Sequence, residues 1–224
     1  MSIWRRSKPT MVDPQLALPG RAEAAFRIPA VNEVLGGPLL GPWGESSKTI
    51  YLAMGCFWGA EKKFWNTPGV IGTAVGYMGG ITPNPTYDEV CTGATGHTET
   101  VMVGYDPTTA STYDVLKVFW ENHDPTQGFR QGNDVGTQYR SAIYWTDPEQ
   151  QAMALATAQA YNEVLTDLGF DPITTELGPA ADHTFYPAET YHQQYLHKVP
   201  HGYDCHANTG IALPRVSTAD VGGG

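Results

Sequence analysis

One run, Thr49–Trp65 (TIYLAMGCFWGAEKKFW), constrains the fold more than any other stretch. Its first part is an apolar run of strand length, and its last part spaces aromatic residues as a helix does. Only Gly55 and Cys56 separate them, so a strand feeds directly into a helix and leaves a cysteine at the helix's amino end. Downstream, GVIGTAVGYMGG predicts a second strand. In HTETVMVGYDP, a third, Thr98, Thr100, Met102 and Gly104 share one face while Glu99, Val101, Val103 and Tyr105 share the other. In STYDVLKVFWENH, Ser111 caps a helix, Asp114 stands at its third position, and Val115, Leu116 and Phe119 form its buried stripe. SAIYW predicts a fourth strand, and Asp147 with Pro148 opens a helix through Leu165. ITTEL adds a fifth strand, and AETYHQQYLHK a short final helix. The order strand, helix, strand, strand, helix, strand predicts an α+β fold. It is a two-layer sandwich of the split βαβ (ferredoxin-like) type, with a mainly antiparallel sheet and long coil extensions.

The chain is expected to divide into an extension over residues 1–46, a main domain over 47–203 and a flexible tail over 204–224. The extension is rich in proline and glycine and is expected to wrap on the surface; the end of the tail, STADVGGG, is expected to fray. At 224 residues the chain is long enough to bury a core without disulfide or metal staples. A net charge of −10 excludes a nucleic-acid backbone or an anionic membrane surface as partner, since either requires a basic face. No stretch is long and apolar enough for a membrane span, and Arg5–Arg6 is followed by Pro9, Asp13 and Pro14 where a twin-arginine signal needs an apolar run. The expected location is cytoplasmic. Three cysteines, Cys56, Cys91 and Cys205, are an odd number and make no disulfide framework.

A helix amino end presents unpaired N–H groups and the positive end of the dipole, both of which favour a thiolate. Cys56 is therefore a candidate nucleophile, against the bland alternative of a small buried hydrophobe. Phe57 and Trp58 make an apolar corner beside it or are ordinary core aromatics; Gly55 and Gly59 permit close approach. Two long loops carry the remaining candidates. The first, GGITPNPTYDEVCTGATGHTE, holds Tyr87 and ends at Glu99; the second, ENHDPTQGFRQGNDVGTQYRSAIY, holds Asp134, Gln138 and Tyr139. Ring packing for the tyrosines and an Asx turn for Asp134 are the alternatives. Glu99 shares a face with Val101 and Val103, an unusual place for a solvated charge.

The segments GCFWG, GYMGGITPNPTYDEVCTG, TGHTE, FWENHDPTQGFRQGNDVGTQYRSAIY and ETYHQQYL closely resemble the A class of peptide methionine sulfoxide reductases, from about Lys48 to Tyr203. The resemblance implies reduction of the S epimer of methionine sulfoxide, in proteins and as the free amino acid, by a monomeric enzyme without cofactor or metal. It implies Cys56 as nucleophile, Glu99 as the acid that protonates the sulfoxide oxygen, and Tyr87 and Tyr139 as hydrogen-bond partners of that oxygen. Phe57 and Trp58 would hold the S-methyl group, and Asp134 would order the loop around Cys56. A cysteine sulfenic acid on Cys56 would be resolved as a Cys56–Cys205 disulfide, then reduced by thioredoxin or another thiol. Relatives often carry a second cysteine in the tail; none follows Cys205 here, and Asp204 stands between it and Tyr203. Cys91 matches a family position without a catalytic role and is read as a packed thiol.

Two alternatives come from other classes. A metal centre would use His192, His197, His201, Cys205 and His206, although adjacent Cys205 and His206 fit one tetrahedral site poorly. An interaction module would leave the glycine-bracketed Cys56 without a task. A thioredoxin-like oxidoreductase is excluded because the chain contains no C-x-x-C.

Overall fold

The first strand, β1 (Lys48–Met54), runs into α1 (Phe57–Trp65), as the opening motif requires. β2 (Val70–Met78), a short α2 (Tyr87–Cys91) and β3 (Thr98–Tyr105) follow, then α3 (Thr112–Glu121). A hairpin of β4 (Arg130–Gln131) and β5 (Asp134–Val135) precedes β6 (Ser141–Trp145) and the long α4 (Pro148–Asp167). The remaining elements are β7 (Glu176–Pro179), β8 (Tyr186–Pro187) and a single turn, α5 (Tyr195–Lys198). This computed structural model describes residues 8–205 and 207–216; Arg5, Arg6, His206 and residues 217–224 lie outside the described residues.

The main sheet has the order β7-β6-β1-β3-β2-β8. Its central four strands are mutually antiparallel, and only β7 joins in parallel, against β6. Counting only β1, β2, β3 and β6, this is the order fourth, first, third, second of a split βαβ unit, so the α+β expectation holds. The third strand places Glu99, Val101, Val103 and Tyr105 towards the helices, where Ile50 and Leu52 of β1, Phe57 and Phe64 of α1, and Val115, Leu116 and Phe119 of α3 complete the core. Ser111 and Asp114 form a reciprocal capping box on α3, and Asp147 caps α4 with Pro148 at its first turn. α4 stacks on α3 through the Trp120 indole, which donates to Thr157 Oγ1 at 3.0 Å.

The opposite face of the sheet is covered by the extension. Leu39 is 1% exposed against Ala74 and Met102, and Ile28 and Trp43 pack around them. Gly72 and Gly104 sit side by side on β2 and β3, and a β-carbon at either would overlap the Trp43 ring. The indole thus occupies volume that any larger residue would claim. Asn32 anchors the same segment by donating to the Thr73 carbonyl at 2.9 Å. At the other end, the tail crosses the helices: Leu213 is buried, its N–H donates to Glu121 Oε1 at 2.9 Å, and the Tyr161 hydroxyl donates to the Ile211 carbonyl at 2.9 Å.

Local differences from the sequence expectation have physical causes. α2 was not anticipated, yet Thr86 and Glu89 close a full capping box around it, a pattern visible in TYDE. The fifth strand is Glu176–Pro179 rather than ITTEL, because Thr174 is drawn away to the Pro125 carbonyl through both its N–H and its hydroxyl, each at 2.8 Å. The final helix begins only at Tyr195, since Gln194 stands in left-handed conformation at φ 48° with its side chain tied to Glu61. Among the described residues no helix is long and apolar enough to cross a membrane.

Candidate active site

Cys56 occupies the cap position of α1, with φ −53° and ψ 119°. The preceding Gly55 has φ +92°, and a β-carbon there would come within 2.7 Å of Gln131 Cγ, so both backbone and packing demand glycine. The thiol is 8% exposed. Burial pushes its pKa well above the ordinary thiol value, the charge of Glu99 adds to this, and the N–H groups of Trp58 and Gly59 pull the other way. The helix amino end therefore favours the thiolate, as expected, without overcoming burial, and the resting group is a thiol.

Glu99 projects from β3 onto the same corner. It is 2% exposed, and its Oε2 accepts from the Phe57 N–H, the residue next to Cys56, at 2.9 Å. Burial raises its pKa to about 8; the Phe57 N–H lowers it and the charge of Asp134 raises it further. At neutral pH this carboxyl holds its proton.

Tyr87 opens α2 and Tyr139 ends a 3-10 turn, Thr137–Tyr139. Burial first and Glu99 second push both phenols far upward, so both remain hydrogen-bond donors at any working pH. The Tyr87 N–H donates to Glu189 Oε1 at 2.8 Å, and the Tyr77 hydroxyl donates to Glu189 Oε2 at 2.8 Å. Glu189 thereby fixes where the α2 loop stands relative to β2.

Phe57 and Trp58 form an aromatic wall with His192, a residue that the sequence suggested only as a metal ligand. The His192 ring lies 5.0 Å from Phe57, 5.6 Å from Trp58 and 4.4 Å from Tyr87. The Trp58 indole stacks on Tyr195 at 3.9 Å and donates from Nε1 to His192 Nδ1 at 2.9 Å. An accepting Nδ1 places the imidazole proton on Nε2. Burial pulls the pKa of His192 down to about 3, so the ring is a neutral packing partner. The signal that could have found it is the aromatic, amide-rich run ETYHQQYL, in which Gln193 and Gln194 are also fully buried.

Asp134 begins β5 and accepts from the Tyr203 hydroxyl at 3.1 and 3.2 Å. Two residues on, Cys205 donates from Sγ to the Gln131 carbonyl at 3.7 Å. The Gln131 side chain packs on Gly55, so one residue touches the backbone beside Cys56 with its side chain and the Cys205 thiol with its carbonyl. The backbone of Cys205 also lies against α1: a β-carbon at Gly59 would stand 3.5 Å from the Cys205 carbonyl oxygen. An ion pair between Lys62 and Asp204 at 3.0 Å holds this approach. Cys56 and Cys205 are both free thiols here.

Cys91 departs from the packed thiol expected. It is exposed, at the carboxyl end of α2, where its thiol pairs with the Tyr87 hydroxyl. Among the described residues no three His, Cys, Asp or Glu side chains gather as metal ligands. A buried thiol, a protonated carboxyl and two protonated phenols around an aromatic wall suit an uncharged, weakly basic oxo group with an apolar substituent.

Comparison with known proteins agrees. The family described as Peptide methionine sulfoxide reductase matches residues 48–220. The peptide methionine sulfoxide reductase MsrA of Streptomyces griseus is 54% identical over 206 residues, covering 92% of this chain and 93% of its own. That of Rhodospirillum centenum is 56% identical over 210 residues, covering 94% and 93%. Methionine sulfoxide reductase A of Corynebacterium diphtheriae superposes with a TM-score of 0.83 at 48% identity, over 92% of this chain and all of that one. The chain belongs to the peptide methionine sulfoxide reductase family, and its chemistry is the thiol-dependent reduction of methionine sulfoxide to methionine.

Proposed function

We propose that the enzyme reduces the S epimer of methionine sulfoxide, in polypeptides and as the free amino acid, with Cys56 as nucleophile and Glu99 as general acid. The observation that carries this is the buried Glu99 carboxyl, with its pKa raised to about 8, bound to the N–H next to Cys56 at 2.9 Å. A sulfoxide oxygen is a poor leaving group until it is protonated, and the attack of a thiolate on sulfur needs that proton and fixed hydrogen bonds in place. Glu99 supplies the proton, and the Tyr87 and Tyr139 hydroxyls bind the same oxygen. While Glu99 keeps its proton it carries no charge to oppose ionisation of Cys56. Phe57 and Trp58 receive the S-methyl group, and Asp134 orders the second loop through Tyr203.

The balance is simple. The Cys56 thiol and the sulfoxide give Cys56 sulfenic acid and the thioether, the oxygen passing from one sulfur to the other. The Cys205 thiol then displaces water from the sulfenic acid and forms a Cys56–Cys205 disulfide. A dithiol such as thioredoxin, or another thiol reductant, restores both thiols while being oxidised itself. The wall of Phe57, Trp58 and His192, with Trp58 half-buried, is chiral and admits the methyl group in one orientation. Turnover of separated epimers with a thioredoxin system tests the reading. Reduction of the S epimer with essentially none of the R epimer is expected, and comparable rates on both would overturn it.

A further inference from the structure

The extension lies beside the catalytic corner. Residues 9–16 run over the two loops that carry Tyr87 and Tyr139, and a groove of about 560 Å³ opens between them. Its apolar walls are Met11, Val12, Leu16 and Val135; Leu16 is 75% and Val135 56% exposed. This segment is fastened to the Tyr87 loop rather than loosely apposed. The Leu18 N–H donates to the Ala94 carbonyl and the Thr82 hydroxyl to the Leu18 carbonyl, both at 2.9 Å. Arg21 donates to Glu89 of α2 at 2.5 and 2.9 Å.

Two observations say what fills the groove. First, it is continuous with the catalytic corner: Cys91 lies at its edge with its thiol on the Tyr87 hydroxyl, and Val135–Gln138 runs between Asp134 and Tyr139. Second, Thr137 lines it, is 2% exposed, and its hydroxyl has no hydrogen-bond partner. That hydroxyl faces Gly93 across the groove, 3.7 Å from where a β-carbon would be. A buried hydroxyl left unpaired costs free energy that a ligand recovers by bonding to it. Apolar walls interspersed with polar residues, Thr10, Asp13, Thr92 and the unpaired Thr137 among them, suit an extended peptide, whose side chains pack while its amide groups bond.

We infer that this groove binds the polypeptide segment flanking the oxidised methionine, with a preference for apolar flanking residues and with Thr137 bonding a substrate amide. The inference rests on the reductase reading of Cys56 and Glu99 but concerns a separate surface, so the two fail separately. The probes are free S-methionine sulfoxide and two blocked heptapeptides with a central S-methionine sulfoxide, one flanked by leucine and valine and one by glutamate. The wild type should prefer the apolar peptide to the acidic one. Leu16→Asp, at an exposed position, should lower kcat/KM for the apolar peptide about tenfold relative to that for the free amino acid, the size expected when part of one leucine's burial is lost. Thr137→Val, which keeps the shape and removes the hydroxyl, should shift the same ratio in the same direction. Equal effects of both variants on the peptide and the free amino acid, an unchanged ratio, or a preference for the acidic peptide would overturn the groove. Failure of the wild type to reduce any S-sulfoxide would overturn the catalytic reading instead.

Discussion

Replacing Glu99 with glutamine tests the acid with little change of shape. The amide oxygen can still accept from the Phe57 N–H that the carboxylate binds at 2.9 Å, so the local fold is retained while the transferable proton is lost. General acid catalysis contributes about 10²- to 10⁴-fold, and single-turnover reduction of the sulfoxide should slow by that factor with substrate affinity nearly constant. A second readout moves in the opposite direction. Above about pH 8 Glu99 is ionised and its charge is the second contributor to the raised pKa of Cys56, so a neutral glutamine should leave more thiolate there, and Cys56 should react faster with an alkylating reagent at a fixed pH above that value. A slower reductase with a more reactive thiol separates the loss of the acid from damage to the nucleophile. Stability supplies a third. The folded-state pKa of Glu99, about 8, stands above its unperturbed 4.5, so the folded state binds the extra proton in between. Stability attributable to this group is therefore full below pH 4.5 and falls as pH rises to about 8. Denaturant titrations of Glu99→Gln should lose part of that slope; Glu61, raised by burial to about 7, keeps its own share. An unchanged single-turnover rate in Glu99→Gln would refute the assignment of the acid.

Cys205→Ser should reduce one equivalent of sulfoxide and then stall with Cys56 oxidised, while wild type after one turnover without reductant should show a Cys56–Cys205 disulfide by mass spectrometry. Full steady-state turnover of the variant with thioredoxin would make Cys205 dispensable. Cys91→Ser should leave turnover of free S-methionine sulfoxide intact, and Cys91 in the wild type should label fastest of the three thiols because it alone is exposed. Leu39→Ala, at a position 1% exposed, should cost about 2 to 5 kcal/mol in denaturant unfolding; a negligible loss would mean that the extension is not part of the cooperative fold.

The fold was legible wherever one segment's own pattern decided its structure. β1, β3 and α3 show their inner faces in the order of their apolar residues, and the caps at Ser111 and Asp147 mark where helices begin. Glu99 stood out for the same reason, a carboxyl on an otherwise apolar strand face. The edge of the sheet was harder, since Thr174 takes partners in the 122–140 loop and moves the start of β7 by three residues. The final helix failed for a related reason: buried Glu61 captures both the N–H and the amide of Gln194 and breaks the helical path. His192 shows its role only through the aromatic, amide-rich run around it and does not reveal its partner, because Trp58 is 134 residues away. Likewise nothing in Gly72 or Gly104 announces that both make room for Trp43.

The approach of Cys205 to Gly59 sets a kinetic condition on the proposed cycle. The chain around Cys205 is tethered on both sides, by Lys62 to Asp204 before it and by Tyr161 and Glu121 to Ile211 and Leu213 after it. A thiol confined in this way meets the Cys56 sulfenic acid at an effective concentration set by the short tether rather than by the surrounding medium. Resolution then proceeds as a first-order event, insensitive to dilution. Over-oxidation of Cys56 in that cycle depends on how much external oxidant arrives within that interval, so the absence of a side chain at Gly59, by letting the tether lie close, would protect the nucleophile from irreversible loss.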